Sequence, residues 1–232
     1  MGASPDASEG AATGLRLNRS NMGSAGAGWT RVGKAGILPS AAPPLTEPVP
    51  QKNAQRVRII GGRHRGRVLR FPDAPELRPT PDRVRETLFN WLGQDLTGRR
   101  TLDLYAGSGV LSLEALSRGA SLAVAVDRNA ALIRAIAATA ATFGSVGLET
   151  HVADAGAHLA QERRDFDVIF LDPPFDSDPW PALLPQCAAR LARGGFVYAE
   201  AAHALDPPAP LFAHRRERAG QVHYHLLQVA AA

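Results

Sequence analysis

The spacing of apolar positions changes along this chain, and each change marks a boundary. Between residues 56 and 71, RVRIIGGRHRGRVLRF, apolar residues alternate with arginines. A period of two predicts two short strands about Gly61-Gly62, with Val57, Ile59 and Val68 on one face. A turn-rich stretch from Pro72 to Pro79 follows. Thr80 then reads as a helix cap, with Pro81 in the first helical position and Asp82 in the first turn. Val84, Leu88, Trp91 and Leu92 recur at helical spacing before Gly93. From residue 101 short apolar runs alternate with helical periods. The runs predict strands at Thr101–Tyr105, Leu122–Val126, Leu148–Val152, Asp167–Leu171 and Phe196–Glu200. Helices are expected over 110–118, up to Phe143, up to Arg163, and over 181–192. Two final runs, 211–218 and 221–229, predict an antiparallel pair turned at Ala219-Gly220. The expected fold class is α/β: a doubly wound, mostly parallel sheet of seven strands with an N-terminal β-hairpin and helix appended.

Composition adds boundaries. Residues 1–54 hold 10 Ala, 8 Gly, 6 Pro and 5 Ser, a mixture in which no apolar period survives, so a leader without a packed core is expected there. An Arg-rich hairpin and docking helix are expected over 55–97, and a Rossmann-like domain over 98–232. No run of 18 apolar residues is present, which argues against a membrane-spanning helix. Cys187 is the sole cysteine, so an internal disulfide and a cysteine-based metal cluster are excluded. It falls inside a predicted helix, away from any strand end where a nucleophilic thiolate would be useful. A cytoplasmic monomer without a metal is the expectation.

Charge is distributed unevenly. Residues 55–100 carry 11 basic and 5 acidic side chains, net +6, whereas 101–232 carry 10 and 14, net −4. Arg56, Arg58, Arg63, Arg65, Arg67 and Arg70 fall in a stretch with no acid, which suits phosphate contacts. Arg78, Arg83 and Arg85 surround the capped helix, and His64 sits between two arginines as a further candidate contact. His223 and His225 alternate in the last strand, where an exposed face is expected.

The acidic body carries the candidate chemistry. In DLYAGSGVLSLEAL a Gly-x-Gly follows a strand and opens a helix, where small residues allow a tight turn and close ligand approach. No Gly-Lys-Ser/Thr follows, so it is not a Walker A loop, and Ser112 replaces the third glycine of a dinucleotide fingerprint. Asp103 lies four residues before Gly107 and could meet a ligand ammonium. Asp127 ends the second strand, where acids grip ribose hydroxyls, and Asp154 follows the third, in reach of an adenine amino group or serving only as a helix cap. A zwitterion, a ribose and an adenine together describe S-adenosylmethionine better than a pyrophosphate dinucleotide.

FDVIFLDPPF delivers Asp172 to the sheet edge and then bends rigidly, because each proline locks φ and lacks an N–H. A carboxylate, a constrained Pro173 carbonyl and the ring of Phe175 suit an exocyclic amine on a flat base. The motif alone does not choose the base: adenine N6 or cytosine N4 of DNA stays open, as does a non-catalytic RNA-binding module.

Taken together, DLYAGSG and LDPPF resemble the Rossmann-type, adenosylmethionine-dependent amino methyltransferases. The strings Arg58-I-I-G-G-x-x-Arg65-G, Leu77-R-P-Thr80-x-D-Arg83-V-R-E-T-L-F-N-W and Glu114-A-L-S-R-G-A resemble one group within them throughout. That group is the bacterial 16S ribosomal RNA guanine-N2 methyltransferases, RsmD-like, and the resemblance covers residues 56 to 229. It implies that Asp103, Tyr105, Gly107 and Gly109 form a cofactor pocket in which Asp127 holds the ribose and Asp154 the adenine. Asp172, Pro173 and Phe175 would receive the target guanine. Arg58, Arg63, Arg65, Arg67, Arg78, Arg83 and Arg85 would face 16S ribosomal RNA, free or within an assembling small subunit.

Overall fold

The apolar runs of the body pair into a single sheet, and its crossovers decide where a ligand can sit. A computed structural model describes residues 55–72 and 80–230; the expected leader, residues 73–79 with Arg78, and the last two residues lie outside the described residues. The chain begins with β1 (Gln55–Arg58), a 3-10 turn (Gly62–His64), β2 (Val68–Phe71) and α1 (Asp82–Leu92). The winding part follows: β3 (Arg100–Asp103), α2 (Val110–Ser117), β4 (Leu122–Asp127), α3 (Ala130–Phe143), β5 (Leu148–Val152), α4 (Ala155–Gln161), β6 (Phe166–Leu171) and α5 (Trp180–Ala188). It ends with β7 (Leu191–Ala201), β8 (Leu211–Ala219) and β9 (Val222–Val229).

The seven-stranded sheet has the order β5-β4-β3-β6-β7-β9-β8. Its first five strands are parallel, and β9 runs antiparallel to both β7 and β8. Strand order therefore reverses between β3 and β6, and the crevice beyond their carboxyl ends is where an open α/β sheet binds ligands. The two sides carry separate apolar clusters. One unites β1, β2, α1 and α2 with Phe170 and Tyr198. The other joins α4 and α5 to Leu102, Val124, Ile169 and Val197. Alternate residues of the central strands thus face opposite clusters, and every central strand reads as a continuous apolar run because both faces are covered.

The hairpin differs from its expected form. β1 and β2 pair antiparallel with Arg58 opposite Val68, so residues 59–67 form a nine-residue connection with the 3-10 turn inside it. Val57 and Ile59 are buried, but Val68 is exposed and Leu69 and Phe71 point inward instead. The long connection releases the register that a tight turn at Gly61-Gly62 would have imposed. At Gly62, where φ is 70°, a Cβ would lie 2.0 Å from the Ser117 carbonyl oxygen, so only glycine lets this loop close on α2. Each of the four buried apolar residues contributes about 1.5–3 kcal/mol relative to exposure.

Four further expectations need correction. Thr80 does not cap α1: Pro81 holds the cap position with no side-chain bond, and the Thr80 hydroxyl points to β6. The stripe of α1 buries Val84, Arg85, Leu88 and Phe89, leaving Trp91 and Leu92 half-buried. α5 stops at Ala188 because Phe166 donates to the Arg190 carbonyl and draws the chain into β7, which is correspondingly longer than expected. His225 is buried, not exposed; its Nε2 accepts the Leu205 amide at 3.1 Å. Cys187 is buried in α5, where desolvation pushes its thiol above the usual range.

Candidate active site

Five carboxyl-bearing side chains line the carboxyl edge of the sheet, each at or just beyond the end of a strand. β3 ends in Asp103, which is 2% exposed. Ser112, one turn into α2, donates its hydroxyl to Asp103 Oδ2 at 2.9 Å. The serine that replaces a third fingerprint glycine is thus the group that orients this carboxyl. Burial raises Asp103 to about 7, with Asp127 adding repulsion against the relief from Ser112. A carboxyl held in this way gains most from a cation brought beside it.

The glycine loop supplies the next wall. Gly109 has φ of 77°, and a Cβ there would lie 2.5 Å from Ile136 Cγ1, so the turn and its packing on α3 both require glycine. Asp127, at the end of β4, accepts the Gly107 amide at 2.9 Å through Oδ2 and the Asn129 amide at 2.7 Å through Oδ1. It braces the loop and still presents unused lone pairs at the edge. Asp154 caps α4 by accepting the Ala157 amide at 2.9 Å, and its other oxygen pairs with Arg128. Those contacts hold its carboxyl below the usual range, the Ala157 amide first. The Tyr105 phenol is raised by burial and by the nearby Asp154 charge, which places both on the same flank. Arg128 had no signal in the sequence beyond following Asp127.

Beyond β6, Asp172 is half-buried and Pro173 buried, whereas Pro174 and Phe175 are exposed. No amide or hydroxyl of the described residues donates to the Pro173 carbonyl, while Ser177 bonds the Pro174 carbonyl through its amide at 3.0 Å. Pro173, Phe175, Trp180, Glu200 and His203 border a cleft of only about 10 Å³. That is room for roughly one water, so a base would stack on the open face of Phe175 rather than enter a ready slot. Sequence reasoning missed two members. Thr80 donates to Asp172 Oδ2 at 3.3 Å, and Glu200, 3% exposed, accepts the Tyr198 hydroxyl at 2.7 Å. Asp172 is raised well above the usual carboxylate range by burial first, then by Glu200 and Asp103.

The arginines divide. Arg56, Arg63, Arg65, Arg67, Arg70 and Arg83 are exposed. Arg58 is exposed too but is held by Asp82 at 2.9 Å. Arg85 is a correction: it is 0% exposed, ion-paired to Asp82 at 2.6 Å and to Glu114 at 3.4 Å, and cannot face a nucleic acid. Helical spacing puts it on the inward stripe of α1, where its charge is tolerated because Asp82 and Glu114 both pair with it. His64 is likewise buried, against Phe143 and 3.2 Å from the Ser145 hydroxyl, and not a surface contact.

The family model described as conserved hypothetical protein 95 matches residues 57–228. The chain belongs to that family. It is an RsmD-like methyltransferase, as its motifs led one to expect. It is 39% identical over 182 residues to ribosomal RNA small subunit methyltransferase D of Escherichia coli K12, covering 75% of this chain and 90% of the relative. The protein of the same name from Buchnera aphidicola subsp. Baizongia pistaciae is 27% identical over 181 residues, 73% of this chain and 90% of its own. A solved structure of a hypothetical protein from Thermus thermophilus superposes with a TM-score of 0.64 at 29% identity, covering 75% of this chain and 99% of that one.

The edge fits S-adenosylmethionine, the cofactor expected from the motifs. Asp103 is a desolvated acid in want of a cation, Asp127 and the Gly107–Gly109 turn stand beside it, and Tyr105 and Asp154 close the flank. Among the described residues no cluster of three potential metal ligands occurs, and no helix is long and apolar enough to cross a membrane.

Proposed function

We propose that this chain transfers the methyl group of S-adenosylmethionine to the exocyclic N2 amine of a guanine in 16S ribosomal RNA. The observation that carries the reading is Asp172, set half-buried beside a free, rigidly held Pro173 carbonyl at the strand-order reversal that also bears Asp103. The name of the Escherichia coli relative supports a ribosomal RNA of the small subunit as substrate.

The cofactor supplies a methyl carbon on positively charged sulfur, which is electrophilic without further activation. The chain's own residues do the rest. Asp103 neutralises the ammonium end, and Asp127 accepts from the ribose hydroxyls. Asp172 Oδ1 and the Pro173 carbonyl accept the two hydrogens of the target amine and turn its lone pair out of the ring plane. As nitrogen takes the methyl carbon and the carbon–sulfur bond breaks, nitrogen becomes positive. Those two oxygens stabilise that charge more than they stabilised the neutral amine, and one amine hydrogen then leaves as a proton to solvent along the Asp172 hydrogen bond. Phe175 stacks on the base and fixes the approach, which alignment of nitrogen, carbon and sulfur demands. The exposed arginines of the hairpin, with Arg83, hold phosphates and set the register.

Asp172→Ala tests the reading. Methyl transfer should fall about 10³-fold or more, with cofactor affinity within a factor of about three. Digestion of RNA and DNA after labelled transfer should place the wild-type label on N2-methylguanosine. Label on adenine N6 or cytosine N4, or wild-type turnover by Asp172→Ala, would overturn it.

A further inference from the structure

We propose that the groove between the hairpin and the start of α1 is a second nucleotide subsite, which takes the RNA nucleotide next to the methylated one. The inference rests on the function proposed above and names what the strand does beside its target.

The groove has a volume of about 400 Å³, and among the described residues Arg56, Arg58, Val68, Thr80, Pro81 and Asp82 border it. That volume lies within the range of small-ligand sites and admits one nucleotide. Thr80 ties the groove to the reaction centre, because its hydroxyl donates to Asp172 Oδ2 at 3.3 Å. Asp172 is followed in the chain by Pro173, which borders the cleft beside Phe175. The carboxyl proposed to hold the target amine therefore joins the two openings, by the chain to one and by a hydrogen bond to the other. A strand that turns one base onto Phe175 brings an adjoining base to the groove, and a base held there keeps the two from restacking.

Two features of the groove suit a nucleotide. The first is an apolar surface set among cations. Pairing puts Val68 opposite Arg58 and Arg70 opposite Arg56 on the outer face of the hairpin, while Val57, Leu69 and Phe71 turn inward. A lone exposed valine needs no explanation, but Val68, 46% exposed, shares a groove with exposed Pro81 between two arginines. A base lays an apolar face on such a surface and keeps its polar edge in water. The second feature is an oriented cation. Arg58 donates through Nε to Asp82 Oδ2 at 2.9 Å, and Asp82 Oδ1 accepts from buried Arg85. Asp82 thus shares its charge with Arg85 and fixes the plane of the Arg58 guanidinium. The two terminal nitrogens of Arg58 have no partner among the described residues, so a planar fork is held ready for a phosphate. Exposed Arg56 stands two residues away on the same face of β1, about 7 Å along the strand, which matches successive phosphates of an extended chain.

The test places a photoreactive p-benzoylphenylalanine at position 68 of the full chain. After irradiation with small-subunit particles, and in parallel with the naked 16S transcript, the cross-linked nucleotide is mapped against the one that wild type methylates. The two should be neighbours in the strand. No cross-link to either RNA, or one anywhere but beside the methylated nucleotide, would overturn the inference. Should the methyl group fall on a base other than guanine, the function proposed above fails, and the position of the cross-link relative to that base still judges the groove. Substitutions give the second arm. Val68→Phe enlarges the stacking surface and should tighten RNA binding about three- to tenfold, whereas Val68→Asp should weaken it about tenfold, both with cofactor affinity unchanged. Arg58→Lys keeps the charge but loses the fork, so RNA affinity should fall about threefold with the salt slope unchanged; Arg58→Ala should also lose about one from that slope. RNA affinity indifferent to the residue at position 68 would overturn the inference as well.

Discussion

Glu114 on α2 and the carboxyls Asp103, Asp172 and Glu200 at the sheet edge are treated in opposite ways. Glu114 is wholly buried and fully provided for: Oε1 takes Arg118 at 2.8 Å, and Oε2 takes Arg85 at 3.4 Å and the Ile60 amide at 2.9 Å. Arg118 in turn lies over the Phe89 ring, 4.4 Å from its centroid. Asp103, Asp172 and Glu200 are met by hydroxyls and by one another, with no guanidinium. Removal from water therefore means different things at the two places. The paired carboxylate fastens the hairpin and α1 to the body. The unpaired ones keep an unfavourable electrostatic state that a cationic ligand can relieve, which is the usual signature of a functional site.

The comparison breaks first at Glu114. Glu114→Ala leaves two buried guanidinium groups and the Ile60 amide without their acceptor, and removal of one partner from a buried ion pair costs about 3–5 kcal/mol. The melting temperature should fall by on the order of 10 °C. A loss below about 1 kcal/mol would show that the triad holds nothing together.

Asp103 should behave in the reverse sense. Its folded value of about 7 stands above the ordinary 3.8, so the folded protein binds the proton more tightly than the unfolded chain. The stability this provides is fully present below pH 3.8 and is lost as pH rises through 7. Asp103→Asn should flatten that slope and stabilise the cofactor-free protein by up to about 4 kcal/mol at pH 8. If the Asp103 anion holds the cofactor ammonium, as proposed, wild-type affinity should rise about fivefold between pH 6 and 7, and the Asn variant should bind weakly with no such rise. Calorimetric titration at the two pH values checks both.

These contrasts explain what the sequence could and could not reveal. The winding of the sheet was legible because buried parallel strands write continuous apolar runs, and the strand ends carried Asp103, Asp127, Asp154 and Asp172 in plain view. Glu200 was not legible: it closes an ordinary apolar strand, and only the pairing of β7 with β6 brings it beside Asp172. Thr80 looked like a cap because threonine before Pro-Asp so often is one, yet its hydroxyl is claimed by Asp172, 92 residues away and just beyond β6. Arg85 looked like its exposed neighbours until helical phase and Glu114 decided its direction. The arginines on the hairpin could be counted, but not which of them pair: Arg58 turns to Asp82, and Arg67 lies over the Phe143 ring.

That division bears on the nucleic-acid surface. Replacing Arg63, Arg65 and Arg67 by Ala removes three exposed charges that touch no described acid. RNA affinity should fall about tenfold at moderate salt, and the slope of log affinity against log salt should lose up to about three. Cofactor affinity should not move. An unchanged slope across a salt series would remove the hairpin from the interface, and Arg85→Ala, by contrast, should cost folding stability.

Asp154 is the finest test, because it belongs to both classes at once. Its Oδ1 caps α4 and its Oδ2 pairs with exposed Arg128, so a structural account of it is already complete without a ligand. Loss of an N-cap costs about 1 kcal/mol, and serine supplies the same acceptor without the charge. Asp154→Ser should therefore keep stability within about 0.5 kcal/mol, where Asp154→Ala loses the full cap contribution. If the carboxylate also accepts the adenine amino hydrogen, Asp154→Ser should weaken cofactor binding about three- to tenfold, the worth of one hydrogen bond to a charged acceptor. Unaltered cofactor affinity in Asp154→Ser would leave Asp154 a helix cap, and the adenine would then be held by the apolar flank around Tyr105 instead.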